Sequence, residues 1–215
     1  MLPTLRSLAV SDNAPGAPED VGVGPHPPPW PEDERFDPEL LAHGDRRNVA
    51  DRYRYWTVEA IRADLDRRPV PLEVAVENWE HDFNIGTVVR NANGFGVRRV
   101  HVVGRRRWNR RGAMVTDRYL QVDHHSDVDS LLRHAASREL HVVAVENVAG
   151  AIPLESAALP ERSLLVFGQE RSGVSPEVLD AAELVVAITM RGSSRSFNAG
   201  VASGVAMFAW SQQHR

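Results

Sequence analysis

Three short stretches of this 215-residue chain gather side chains suited to holding and polarising other groups. The first, Asn84-Ile85-Gly86-Thr87-Val88-Val89-Arg90, sets an amide ahead of a guanidinium. The second, Gly168-Gln169-Glu170-Arg171-Ser172-Gly173, places a carboxylate in a loop bounded by glycines. The third runs from Ile188-Thr189-Met190 through Arg195-Ser196-Phe197 to Asn198 and ends in a hydroxyl and an amide. Such groups can orient a substrate, hold a phosphate and stabilise developing negative charge. Covalent catalysis by a thiolate or a lysine is excluded, because the chain has no cysteine and each of its 25 basic residues is arginine. The same counts remove disulfides, thiolate metal sites and phosphate-loop lysines. His124-His125 and His141 lack the spacing of a known metal site, so no metal is assigned.

The elements that must position these stretches can be read from periodicity. Ile85, Val88, Val89, Ala92 and Phe95 form one helical stripe with Arg90 nearly opposite its centre, Asn84 as N-cap and Gly96 beyond the end. Val58, Ile61 and Leu65 mark a short earlier helix. Strands are expected at Leu72–Val76, Val100–Val103, His141–Val145, Leu164–Phe167 and Leu184–Ile188. Helices are expected near Val128–Arg138, at Pro176–Ala182 behind a Ser175 cap, and from Ser196 to about Gln212. This alternation predicts an α/β domain with a mainly parallel sheet flanked by helices, binding its ligand at the carboxyl ends of the strands. Gly200 and Gly204 lie four apart on the last helix and predict close backbone packing there. The glycine spacing fails the dinucleotide-binding fingerprint, which disfavours a nucleotide-dependent oxidoreductase.

Charge divides the chain. Residues 1–45 carry nine acids and two arginines among proline-rich runs, and are expected to be a mobile acidic extension. Residues 46–215, expected to be the functional domain, carry 20 acids and 23 arginines. Arg98, Arg99, Arg105, Arg106, Arg107, Arg110 and Arg111 crowd around Trp108, a composition suited to nucleic-acid phosphates with an aromatic face for a base. No apolar run is long enough to span a bilayer, and the first residues do not have the pattern of a secretory signal; a cytoplasmic protein away from membranes is expected.

In this order the three stretches resemble the signature motifs of the SpoU (TrmH-like) RNA ribose 2′-O-methyltransferases of the SPOUT superfamily: an N-x-G-x-x-x-R helix, an F-G-x-E-x-x-G loop and an I-P-M-x-G…S-x-N-x-x-x-A helix entrance. The resemblance covers about residues 72–212. It implies an α/β fold with a C-terminal trefoil knot and a homodimer with the active site at its interface. It further implies methyl transfer from S-adenosylmethionine to a ribose 2′-hydroxyl of structured RNA, tRNA ahead of rRNA. Carried over residue by residue, Asn84, Arg90, Glu170, Ser196 and Asn198 match the catalytic positions. Val145, Asn147, Gly168, Ile188, Met190 and Ser196 match the cofactor positions, and Arg105, Arg106, Arg107, Trp108, Arg110 and Arg111 are the expected RNA contacts. Thr189 stands where the family usually has proline, Phe197 where leucine is usual, and Ala199-Gly200 follow the final asparagine; none of these departures removes a reacting group. A non-catalytic RNA-binding protein on the same knotted fold is the alternative.

Overall fold

The computed structural model describes residues 22–80 and 84–214, in two compact units, Met1–Asp64 and Leu65–Arg215. Residues 1–21 of the expected acidic extension lie outside the described residues. The described part of the first unit extends past the compositional boundary at residue 45. It contains α1 (Pro38–His43), capped by the Asp37 carboxylate, and antiparallel bridges from Val23 to Asp45 and from Phe36 to Trp56. Asp45 is fully buried and accepts hydrogen bonds from Arg47 Nε and Nη2 at 2.8 and 2.7 Å and from the Tyr55 backbone N at 2.9 Å. Asp45, which composition places in the acidic extension, is the paired centre of a folded turn. In α2 (Val58–Asp66) the expected stripe turns Ile61 into the core, and Thr57 Oγ1 accepts from the Ala60 amide at the first turn.

The second unit runs β1 (Leu72–Asn78), α3 (Ile85–Gly94), β2 (Arg99–Gly104), β3 (Gln121–His125), α4 (Val128–Ser137), β4 (His141–Val145), β5 (Ile152–Pro153), β6 (Ser163–Phe167), α5 (Pro176–Ala181), β7 (Leu184–Ala187) and α6 (Ala199–Gln213). Among the described residues these strands form one parallel sheet in the order β3-β2-β1-β6-β4-β7-β5. The late strands β6 and β7 each insert between strands laid down earlier, an interleaving consistent with a knotted C-terminal region. Sequence periodicity did not find β3 and β5: β3 is an edge strand bearing Gln121, Asp123 and His124, and β5 has only two residues.

Alternation along the strands separates two faces. Val74, Val76, Val100 and Val102 pack with Ile85, Val88, Val89 and Ala92 of α3 and with Ala206, Met207 and Trp210 of α6. Ala75, Val103, Val142, Leu164 and Val166 pack with Val128, Leu131 and Ala135 of α4 and Val178 of α5. Deep burial of both faces accounts for the continuous apolar runs in these strands. The last helix starts later than expected: Asn198, not Ser196, is its cap, accepting from the Gly200 and Val201 amides.

Gly200 and Gly204 do allow close packing, but the partner is α3 of the same chain. A Cβ at Gly200 would lie 2.7 Å from Thr87 Cγ2, and one at Gly204 would lie 3.3 Å from Asn91 Nδ2. The Thr87 side chain is β-branched and stiff, so it cannot yield cheaply. Gly200→Ala is expected to lower stability by about 1–3 kcal/mol through overpacking, read as an earlier urea midpoint at unchanged slope.

Candidate active site

The carboxyl ends of β4 and β6, the loop after β6 and the segment before α6 enclose a cavity of about 410 Å³. Its lining contains all six expected cofactor positions: Val145, Asn147, Gly168, Ile188, Met190 and Ser196. Phe167, Val174 and Leu179 add apolar wall, while Glu146, Arg195 and Ser196 add polar groups. That size and mixture suit a nucleoside-sized ligand carrying one polar end, so the residues present fit S-adenosylmethionine.

Glu170 lies at the cavity wall and joins two of the other motif residues. Its Oε1 accepts from Asn84 Nδ2 at 2.5 Å and from Asn198 Nδ2 at 2.7 Å, while Asn198 Nδ2 also lies 2.9 Å from Asn84 Oδ1. The three motifs thus meet through side chains far apart in sequence. Asn84 stands at the N-cap position with helical backbone angles, yet its side chain makes no cap bond. The expected cap is replaced by the site network, which takes the amide for itself. Asn198 serves both purposes, since its Oδ1 caps α6 and its Nδ2 reaches Glu170.

Several residues not singled out from sequence hold the Glu170 loop. Gln169 pairs with Gly173 across a tight turn in which a Cβ at Gly168 would stand 2.0 Å from the Gly173 carbonyl carbon. The loop's own backbone, rather than an approaching ligand, is the nearest demand for glycine there. Gln169 Oε1 accepts from the Trp79 and Glu80 amides at 2.9 and 2.6 Å. Glu146 Oε2 accepts from Val174 N at 2.8 Å, and the fully buried Glu77 accepts from Ser175 N at 2.7 Å. Their one available sequence signal was polarity at the carboxyl end of an otherwise apolar strand.

Two expected catalytic residues stand apart from this network. Ser196 lines the cavity without joining the amide–carboxylate cluster. Arg90 is exposed on α3, does not line the cavity, and has no hydrogen-bond or ion-pair partner among the described residues.

The arginine-rich stretch is divided by its environment. Arg105, Arg106, Arg107, Arg110 and Arg111 are exposed. Arg98 instead pairs with Asp66 and donates to the Tyr119 carbonyl, and Arg99 pairs with Asp123, while the open Arg110 lies 3.5 Å from Asp117 with its side chain 74% exposed. Trp108 is partly buried against the α3–α6 core, with the Arg110 guanidinium 5.6 Å from its ring centre. Asn78 Nδ2 donates to the carbonyls of Arg105 and Arg107 at 2.6 and 3.0 Å, tethering the loop's backbone.

Known proteins share this fold. The chain is 25% identical over 154 residues to the tRNA (guanosine(18)-2′-O)-methyltransferase of Escherichia coli strain K12, covering 70% of this chain and 67% of that protein. The A. aeolicus TrmH/SpoU tRNA modifying enzyme superimposes with a TM-score of 0.64 at 21% identity, over 73% of this chain and 81% of that one. The SpoU methyltransferase AviRb from Streptomyces viridochromogenes, solved with AdoMet, superimposes with a TM-score of 0.62 at 21% identity, over 71% of this chain and 63% of that one. The model of the SpoU rRNA Methylase family matches residues 71–208, a span containing all three motifs and the whole cavity lining, and the chain belongs to that family.

Proposed function

We propose that this protein methylates a ribose 2′-hydroxyl of structured RNA, with S-adenosylmethionine as the methyl donor and tRNA as the favoured substrate. The observation that carries this reading is the meeting of Asn84, Glu170 and Asn198 beside a cavity lined by all six expected cofactor positions. Bound there, the cofactor supplies an activated methyl group to the attacking ribose oxygen. The similarity to a tRNA (guanosine(18)-2′-O)-methyltransferase favours tRNA, and such a substrate suits a cytoplasmic location. The intact set of motif side chains favours catalysis over a purely RNA-binding role.

Each side chain has a distinct task. Glu170 fixes the Asn84 and Asn198 amides, and these shape the floor on which the ribose rests. A guanidinium stays protonated under ordinary conditions, so Arg90 holds the adjacent phosphate and stabilises charge developing on the 2′-oxygen while the proton leaves to a neighbouring acceptor or water. The exposed arginines Arg105, Arg106, Arg107, Arg110 and Arg111 hold the RNA backbone, with the face of Trp108 beside them.

A homodimer completes the site. Val201, Val205 and Phe208 are 52%, 39% and 53% exposed and recur at helical spacing on α6, away from the α3 contact made by Gly200 and Gly204. That apolar stripe, rather than the glycine strip, is the surface for a second copy. Arg90, outside its own chain's cavity, is then available to the assembled site.

Arg90→Ala should leave folding and S-adenosylhomocysteine affinity intact while cutting methyl transfer by at least about 100-fold. Retained turnover, or loss of the fold, would refute its assignment. Light scattering should give a dimer for the wild type and a monomer for Val205→Glu/Phe208→Glu; a monomeric wild type ends the dimer reading. Joint replacement of Arg105, Arg106 and Arg107 by Gln should weaken RNA binding and flatten its logarithmic salt slope by roughly two to three, leaving cofactor binding unchanged. A wild-type slope in that variant would place the RNA elsewhere.

A further inference from the structure

Under α4, and clear of the cavity lining, the sheet carries a buried polar cluster that the methyl-transfer reading does not use. The parallel register pairs Ala75 with His101 and Val103 with His125, so Glu73, His101 and His125 emerge on the same face from β1, β2 and β3. α4 lays Ser130 and His134 over them. Glu73 Oε2 lies 2.8 Å from His101 Nε2 and 2.7 Å from His134 Nε2, and the three donor atoms fall within 4.8 Å of one another. His101 is fully buried and Glu73 only 6% exposed. The second nitrogen of His101, Nδ1, meets His125 Nε2 at 2.9 Å, and His125 Nδ1 meets Ser130 Oγ at 3.0 Å.

We propose that Glu73, His101 and His134 bind a divalent transition-metal ion of the zinc class, with His125 and Ser130 orienting the buried His101 ring.

Two imidazoles and a carboxylate converging on one point form a mixed nitrogen–oxygen donor set. This suits zinc and its neighbours and disfavours magnesium and calcium, which take oxygen ligands. The remaining position falls to water or to the second oxygen of Glu73.

The hydrogen-bond chain serves both states without a change in proton count. With neutral rings and no ion, Ser130 donates to His125, His125 to His101, and both His101 and His134 donate to Glu73. With an ion at the convergence point, His101 carries its proton on Nδ1 and donates to His125 Nε2, while His125 donates through Nδ1 to Ser130. His134 turns its remaining N–H outward, its side chain being 19% exposed. A metal-bound histidine that donates its other N–H to a fixed acceptor is the usual means of orienting such a ligand. The two Glu73–histidine separations, 2.8 and 2.7 Å, need to open only to roughly 3.3 Å for tetrahedral zinc, a shift within reach of the helix-borne His134.

Local charge permits the ion. Arg99 lies 3.8 Å from Glu73 Oε1, but Asp123 balances it. Arg138 lies 3.5 Å from the same oxygen, but its side chain is 56% exposed and free to withdraw. Sequence spacing could not disclose the site, because its ligands come from two strands and a helix brought together only by the fold.

The test is titration of untagged, chelator-stripped full-length protein with Zn²⁺ by calorimetry, alongside Co²⁺ monitored by visible absorption. One Zn²⁺ per chain, a thermal midpoint that rises with Zn²⁺, Co²⁺ bands displaced by Zn²⁺, and no response to Mg²⁺ are expected. His134→Ala, at a partly exposed helix position, should weaken Zn²⁺ affinity by more than about 100-fold, and His125→Gln, which keeps all three donors, by about 10–100-fold. Replacing the surface residues His124 and His141 by Ala should change nothing. Absence of stoichiometric Zn²⁺ uptake by the wild type would overturn the proposal, leaving a hydrogen-bonded packing cluster. So would wild-type affinity in His134→Ala or, should that variant not fold, in the near-isosteric Glu73→Gln.

Discussion

A side chain at position 200 would place its Cβ 2.7 Å from Thr87 Cγ2, so α6 meets α3 through bare backbone at this point. Asn91 then reaches across to the Gly200 carbonyl at 2.8 Å and the Ser203 hydroxyl at 3.0 Å, locking the two helices by polar bonds as well as packing. The consequence appears one turn earlier. With the start of α6 held against α3, Asn198 stands next to Asn84, and both reach Glu170. Asn198 must be an amide for this to work. An aspartate could cap the helix but could not donate to Glu170, and a serine could cap it but would be too short to bridge the gap.

The loop carrying Glu170 is held just as firmly, by a different device. Glu77 and Glu146 direct carboxylates at the backbone amides of Ser175 and Val174, while Gln169 accepts from two amides beyond β1. A loop at the end of a parallel sheet has several amides without strand partners, and a buried carboxylate needs donors. Each defect satisfies the other. The resulting turn is tight enough that only glycine fits at position 168, which fixes where Glu170 projects.

Much of this was legible in the sequence where one signal dominates. The α3 stripe reads directly because each of Ile85, Val88, Val89 and Ala92 is fully buried on one face. The family resemblance gave Asn84, Arg90, Glu170, Ser196 and Asn198 as a set, of which Asn84, Glu170 and Asn198 meet in the fold, although periodicity alone would have given Asn84 to helix capping. Legibility failed where one residue type serves several environments. Arg98 and Arg107 look alike in a row of arginines, yet one is tied to Asp66 and the other is open to solvent. Asp45 reads as part of an acidic tail because composition cannot show that Arg47 and Tyr55 close around it. Glu73 and His101 read only as members of the strands Leu72–Val76 and Val100–Val103, since their partners come from elements that only the parallel register aligns.

The exit of β1 links the Glu170 loop beside the cavity to the arginine loop of the second unit. Glu77 holds Ser175 of the Glu170 loop, Asn78 holds the carbonyls of Arg105 and Arg107, and the amides of Trp79 and Glu80 hold Gln169. Neighbouring residues at one strand end thus bind both loops, Glu77, Trp79 and Glu80 the one beside the cavity and Asn78 the arginine loop. Trp79 adds a steric stop: a Cβ at Gly104, whose φ is +96°, would stand 2.6 Å from its ring, so the arginine loop leaves β2 in a direction that the same strand end dictates. On the proposed reading, phosphates held by the exposed arginines would be measured from the same backbone segment that positions Glu170. For a reaction that needs one hydroxyl of a large polymer aligned within a fraction of an ångström, a shared anchor matters more than the strength of either contact. If the arginine loop draws RNA in as proposed, the Glu77–Glu80 junction would set the distance between that grip and the Glu170 cluster.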